Sequence, residues 1–157
     1  IRRYQGIIMP NPIQLRCGAI IQNDAEETLL VHLERGSPLQ EHWSIPSGLV
    51  RIGEKTEDAM LRIAREQLSI DIQILKVIGF VDEITKDQHI HFITFLCRIK
   101  KGEQKLQTRA YTKAQWFDAK AIPKDASIAD VLLPLYILRY ITVNDYNSRV
   151  DALRGKQ

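Results

Sequence analysis

Cysteine is nearly absent: Cys17 and Cys97 are the only two, far apart in the chain and each inside an apolar stretch. That excludes a disulfide framework and a zinc motif, both of which need clustered cysteines, and reads as two buried thiols in a reducing, cytoplasmic compartment. Long apolar runs are missing as well. A bilayer span needs about 18 consecutive apolar residues, and the richest segment, Val131 to Ile141, is broken by Pro134 and Arg139. The opening Ile1-Arg2-Arg3-Tyr4 lacks the apolar stretch of a secretory leader, and Met9 is a candidate start. No repeat, low-complexity tract or Pro/Gly/Ser linker divides the chain, so residues 1–157 are expected to form one domain. Charge of one sign is scarce too: 22 Lys and Arg against 19 Asp and Glu leave +3. This balance suits an anionic, phosphate-bearing ligand. It argues against a nucleic-acid binder, because the basic residues of the ends (Arg2, Arg3, Arg149, Arg154, Lys156) form no stripe.

What is present reads as mixed α/β. Leu15 to Ile21 and Thr28 to Arg35 have strand character, the second with Leu29, Val31 and Leu33 alternating against Leu30, His32 and Glu34. Trp43 to Val50 is short, extended and interrupted by Pro46 and Gly48. The spacing of Ala59, Met60, Ile63, Ala64, Gln67 and Leu68 predicts a helix over 56–68, with Thr56 as N-cap and Glu57 and Asp58 in the first turn. A β-rich run from Ile70 to Val81, a turn holding Asp82, Glu83 and Asp87, and a strand from Ile90 to Ile99 follow, then a turn over 100–103. Ala114 to Phe117 is a last short strand. Ser127 to Ile141 reads as a second long helix that Pro134 must bend or restart. The ordered core is expected over 13–141, with flexible ends at 1–12 and 144–157.

The chemistry-bearing segment is Gly48-Leu49-Val50-Arg51-Ile52-Gly53-Glu54, followed seven residues later by Arg62, then Ala64, Glu66 and Ile70. Arg62 and Glu66 are four apart and share a helix face, and Glu54 can fold back on Arg62 as a bidentate ion pair that fixes the loop. These residues resemble the box of the Nudix family. Trp43-Ser44-Ile45-Pro46-Ser47-Gly48 is similar to its lead-in, His91 to Ile99 to the strand that follows, and Trp116-Phe117 to its late aromatic strand. The resemblance covers nearly all of residues 13 to 141. It implies a Nudix-type α/β/α sandwich, with a mixed sheet between the box helix and a C-terminal helix.

The resemblance also implies a divalent-metal-dependent hydrolase of a nucleoside diphosphate linked to another moiety. In such a box Mg²⁺ or Mn²⁺ is held by carboxylates. The positions where three are expected are Ile63, Glu66 and Gln67, so one acid remains, and Ser69 replaces the late glycine. The site it implies has Glu66, Arg62 and Glu54 as catalytic residues and Gly48, Glu66 and Gln67 around the metal. Arg35, Arg51 and Arg109 are candidates for phosphate contacts and Trp43 for stacking a base. Each arginine can equally be a surface charge, Trp43 a buried anchor, and Glu66 a solvated partner of Arg62 or Arg65. His89 and His91, with Asp82, Glu83 and Asp87, can supply missing ligands or form a polar strand end. The stretch Ser37 to Trp43 also resembles the GDP-mannose hydrolase subgroup, but the acid and histidine kept there fall at Gln67 and near Tyr111 here. Two functions follow: a Nudix hydrolase, or a domain that binds a nucleotide-type small molecule or a protein partner without cleaving anything. A homodimer through a sheet edge or the late helix is a further expectation from the resemblance.

Overall fold

A computed structural model describes residues 12–34 and 41–155. In chain order the strands are β1 (Gln14–Gln22), β2 (Thr28–Leu33), β3 (Trp43–Ser44), β4 (Ser47–Leu49), β5 (Asp71–Ile84), β6 (His89–Lys101) and β7 (Tyr111–Phe117). The helices are α1 (Thr56–Leu68), α2 (Leu133–Ile137) and α3 (Val143–Arg154). β1 lies in the middle of the sheet because it is apolar on both faces: Cys17, Ala19 and Ile21 enter one core, Ile20 the other. Side chains alternate across a strand, so apolar residues in both phases suit a strand covered on both sides. β1 runs parallel to β6, from Gln14 opposite Ile90 to Gln22 opposite Arg98. β5 pairs antiparallel with β6 at one edge. On the other flank β2 pairs antiparallel with β1, β3 and β7, and β4 with β1, which completes one mixed sheet.

The two faces carry different covers. α1 buries Ala59, Met60, Ile63, Ala64 and Leu68 against Cys17, Leu29, Val31 and Phe95. On the other face Ile20, Leu30 and Phe92 meet Val131, Leu132, Leu135 and Leu153 from the C-terminal segment. This is the α/β/α arrangement expected above. Among the described residues no helix is long and apolar enough to cross a membrane.

Several local expectations need correction. Thr56 is the first residue of α1, not its N-cap; Lys55 caps the helix without a side-chain bond. Asp82 and Glu83 belong to β5, because the hairpin to β6 closes later, with the Thr85 N–H donating to the Gln88 carbonyl and Thr85 Oγ1 accepting from the Gln88 N–H. The segment 127–141 is not one helix. A wide helical turn (Ile128–Leu132) precedes α2, Pro134 sits in the first turn of α2, and the chain reverses at Arg139, whose φ is 64°. Proline has no N–H to bond back and its ring clashes with the preceding turn, so an uninterrupted ladder is impossible there. A further helix not read from the sequence, α3, follows, capped by Thr142 Oγ1 accepting from the Asp145 N–H at 3.1 Å. Val150 and Leu153, three apart, are both buried. Two apolar anchors in a polar helix make too faint a period to read from the sequence. Expectations about residues 1–11, Arg35 and the 37–40 part of the approach to the box lie outside the described residues.

The loop between β4 and α1 is held by one side chain. Arg62 Nε donates to Glu54 Oε2 at 2.8 Å, and its Nη2 to Glu54 Oε1 and the Leu49 carbonyl, both at 2.9 Å. The Arg51 N–H closes the turn on Glu54 Oε1 at 3.1 Å, and Gly53, at φ 82°, supplies the left-handed residue the turn needs. The helix ends at Ser69 in the left-handed conformation (φ 57°), with the Ser69 and Ile70 N–H groups donating back to the Arg65 and Ala64 carbonyls.

Two predictions follow from these contacts. A Cβ on Gly18 of β1 would lie 2.7 Å from Phe92 Cζ and 2.9 Å from Ile45 Cδ1. Gly18→Ala is therefore expected to destabilise the fold by about 1–3 kcal/mol, as forced overpacking does, read as a lower urea midpoint at unchanged slope. The Arg62 guanidinium holds the Glu54 carboxyl down at about 2 from an ordinary 4.5. A depressed carboxylate pKa contributes stability above the unfolded value and loses it as pH falls towards the folded one. Thermal melts should therefore show a component lost between about pH 4.5 and 2. Glu54→Gln should lack it and melt lower than wild type at pH 7; identical pH profiles would remove the ion pair from this role.

Candidate functional site

The centre of the site is where β4, the last turn of α1 and the start of β7 converge. Gln67 Nε2 donates to the Ser47 carbonyl at 3.0 Å. The Tyr111 hydroxyl donates to Gln67 Oε1 at 2.9 Å, lies 3.2 Å from the Ser47 carbonyl, and accepts from the Ser47 N–H at 3.2 Å. Burial keeps the Tyr111 phenol above its usual range, so it stays a neutral donor at physiological pH. One turn back, Ile63 is buried, and its Cδ1 and Cγ1 reach within 3.0 Å of where a Cβ on Gly48 would stand. The backbone of Gly48 is thus roofed by an aliphatic side chain and flanked by a closed, uncharged hydrogen-bond knot.

Glu66 points elsewhere. Its side chain is 52% exposed, with Oε2 3.2 Å from Arg62 Nη1 and Oε1 3.7 Å from Arg51 Nη2. Hard divalent cations need several oxygen ligands, with carboxylates to balance their charge. The residues present do not fit such an ion. Gln67 has both ends of its amide engaged, Ile63 offers no donor, and Glu66 faces two guanidinium groups. Among the described residues no three His, Cys, Asp or Glu side chains converge closely enough to hold a metal.

From the knot a cleft of about 490 Å³ runs across the sheet, lined by Arg16, Ser47, Gly48, Gln67 and Tyr111 and further on by Ser44, Glu83 and Asp130. At that far end the Ser44 hydroxyl donates to Asp130 Oδ2 at 3.1 Å, and the Asp130 N–H donates to Ser127 Oγ at 3.2 Å. Burial, then the neighbouring Glu83 carboxylate, pushes the Asp130 carboxyl up to about 6. β3 is tied to this segment by the His42 and Trp43 N–H groups, which donate to the Asp125 carbonyl at 2.9 and 3.2 Å.

The other residues singled out from the sequence scatter around the cleft. Trp43 is buried between His32 and Phe117, with ring centroids at 4.8 and 4.9 Å, and does not line it. Arg51 borders a neighbouring hollow beside the box loop, and Arg109 is exposed next to Ala110 on the approach to β7. Arg35 lies outside the described residues. His89 Nε2 and His91 Nδ1 both reach Asp82 Oδ1, at 3.2 and 2.8 Å, and hold that carboxyl below its ordinary value; this group sits on the edge hairpin and not in the cleft. Sequence reasoning passed over Arg16, Ser44 and Asp130. A lone arginine within the apolar strand Leu15 to Ile21, and a lone acid in the apolar run from Ile128 to Leu135, were the signals available.

The family model of the NUDIX domain matches residues 12–136. The NAD-capped RNA hydrolase NudC of Pseudomonas fluorescens is 30% identical over 100 residues, which is 62% of this chain and 36% of that protein. The chain therefore spans about a third of the length of the NudC relatives it matches. The crystal structure of the MutT Nudix hydrolase from Burkholderia pseudomallei superposes with a TM-score of 0.68 at 24% identity, covering 84% of this chain and all of the other. The Nudix domain of Shewanella oneidensis NrtR, solved in complex with ADP ribose, does so with a TM-score of 0.54 at 16% identity, covering 68% and 73%. With the box loop clasped by Arg62, the sheet between two helical layers and a family match across most of its length, this chain belongs to the Nudix family.

Proposed function

We propose that this domain binds a nucleoside diphosphate compound in the cleft beside Gly48 and does not cleave it by the metal-dependent route its family resemblance implies. The observation that carries the reading is the neutral knot of Gln67, Ser47 and Tyr111, with Ile63 packed on Gly48. It occupies with hydrogen bonds and methylene groups the helix face that a metal-using box fills with carboxylates. The cleft keeps what recognition of an anion needs. Arg16 lines it, and a guanidinium fork matches phosphate oxygens without any metal. The ligand class is supported by the relatives: NAD-capped RNA, in the name of one, and ADP ribose, in the complex of another, both carry a nucleoside diphosphate joined to a further group.

Titration calorimetry with ADP-ribose and GDP-mannose, in Mg²⁺, in Mn²⁺ and in EDTA, tests this directly. Binding of at least one compound is expected, with the same affinity in all three buffers and no mononucleotide released on prolonged incubation. Release of a mononucleotide that requires Mg²⁺ and disappears in Glu66→Gln would overturn the reading in favour of a hydrolase.

Rebuilding the acids gives an independent check. Ile63→Glu with Gln67→Glu should raise Mn²⁺ affinity at least about tenfold, equivalent to 1.4 kcal/mol, if α1 sits on Gly48 as described. Gln67→Glu alone, at a less buried position, carries the same test with smaller amplitude should the double variant fail to fold. No gain in either folded variant would contradict the placement of the box.

A further inference from the structure

Much of the exposed apolar surface gathers along one edge of the sheet. β5 is the last strand on its side and, among the described residues, pairs only with β6. Its Leu75, Val77, Phe80 and Ile84 are 47, 54, 65 and 71% exposed. Ile137 of α2 is 51% exposed and adds to the same margin, because it lines with Phe80 a hollow of about 50 Å³ between α2 and β5. Leu75 and Ile78 sit at bulges and have no partner in the β6 ladder. A long apolar edge is a template for another strand, and contiguous exposed apolar surface marks a place of association. We propose that β5 pairs with β5 of a second copy of this chain, antiparallel about a two-fold axis between Gly79 and Phe80. The dimer does not depend on what the cleft binds.

A second copy is the occupant because the strand complements itself. A two-fold contact uses the same patch on both partners, so that patch must match its own reverse. About this axis Lys76 stands opposite the second copy's Glu83, Ile78 opposite its Val81, Leu75 opposite its Ile84, and Gly79 opposite its Phe80. Opposed residues must present their side chains to the same face of the sheet. Lys76 pairs with Leu96 of β6 and Glu83 with Ile90, and Ile90 is in phase with Phe92; Phe92 and Leu96 both belong to the core beneath the C-terminal segment. Ile78 and Val81 pack against that same core. The two charges are exposed, and the pair they form occurs twice in the dimer. Phe80 falls opposite the only glycine of β5. A Cβ on Gly79 would meet no atom within 4 Å, so an aromatic ring has room to lie across that backbone. A one-residue slip spoils the match. In one direction it sets Lys76 against Asp82, which is on the other face with His91, and in the other against the apolar Ile84.

Sedimentation equilibrium on the full chain tests the dimer and its register together. Wild type is expected to dimerise. Lys76→Glu and Glu83→Lys each set like charges opposite each other at two places. Each should raise the dimer dissociation constant at least about tenfold, equivalent to 1.4 kcal/mol. The double variant Lys76→Glu with Glu83→Lys restores both pairs with their signs exchanged and should return the constant to the wild-type value. Both positions are exposed, so all three variants should fold, which circular dichroism checks. Should a reversal misfold, Phe80→Ser at another exposed site carries the test, with the dimer weakened in the same direction. A monomeric wild type overturns the proposal. So does a dimer indifferent to the single reversals and to Phe80→Ser, or one that the folded double variant fails to restore.

Discussion

The site depends on the guanidinium of Arg62. It is a planar fork with donors in fixed directions, and the structure uses them together: two on the Glu54 carboxylate, a further contact on the Leu49 carbonyl and one on Glu66. Through these bonds one residue on α1 sets the end of β4, the turn at Gly53 and the face that α1 presents to the sheet. Remove the fork and the Leu49 carbonyl and the Glu54 carboxylate lose their bonds to α1, while Ser47 stays tied to Gln67 and β4 stays paired with β1. The same economy commits Glu66. It lies 3.2 Å from Arg62 and 3.7 Å from Arg51, at the exposed end of the clasp. Arg62 and Glu54 together fix the box loop.

What could be read from the sequence follows from how local each interaction is. The bounds of α1 were legible because its apolar spacing and acidic first turn lie within the segment itself; only the cap was misplaced by one residue. Glu54 and Arg62 were legible as a pair because a loop and one helical turn join them. β5 and β6 run longer than expected because their outer ends are polar and owe their strand conformation to each other. α3 escaped notice because two apolar residues bury it, and the irregular stretch before α2 because Pro134 forces a geometry that no simple period describes. The knot was out of reach for a different reason. Tyr111 meets Gln67 and Ser47 only after the sheet brings β7 alongside β2, and nothing in the sequence near Gln67 shows that its amide is engaged at both ends. The recess of Ser44, Glu83 and Asp130 is assembled from three separated segments, so each acid alone looks like a surface charge.

Whether a box helix binds metal can be argued from a single atom, the Ser47 carbonyl oxygen. Here it receives the Gln67 amide and lies beside the Tyr111 hydroxyl, so donors meet the acceptor and the corner is satisfied without help. With a glutamate at 67 the same corner would set a carboxylate against that carbonyl, two acceptors in a partly desolvated place, and a cation between them would be needed to offset the repulsion. A carboxylate at 63 would add a second buried charge where Ile63 now contributes packing, with the same requirement. Metal dependence in such a corner is therefore a consequence of charge balance: acids there call for an ion, while glutamine, tyrosine and isoleucine leave the corner neutral and stable on its own. On the proposed reading, a corner closed with neutral groups leaves Arg16 in the cleft wall as the group that meets the ligand's phosphates.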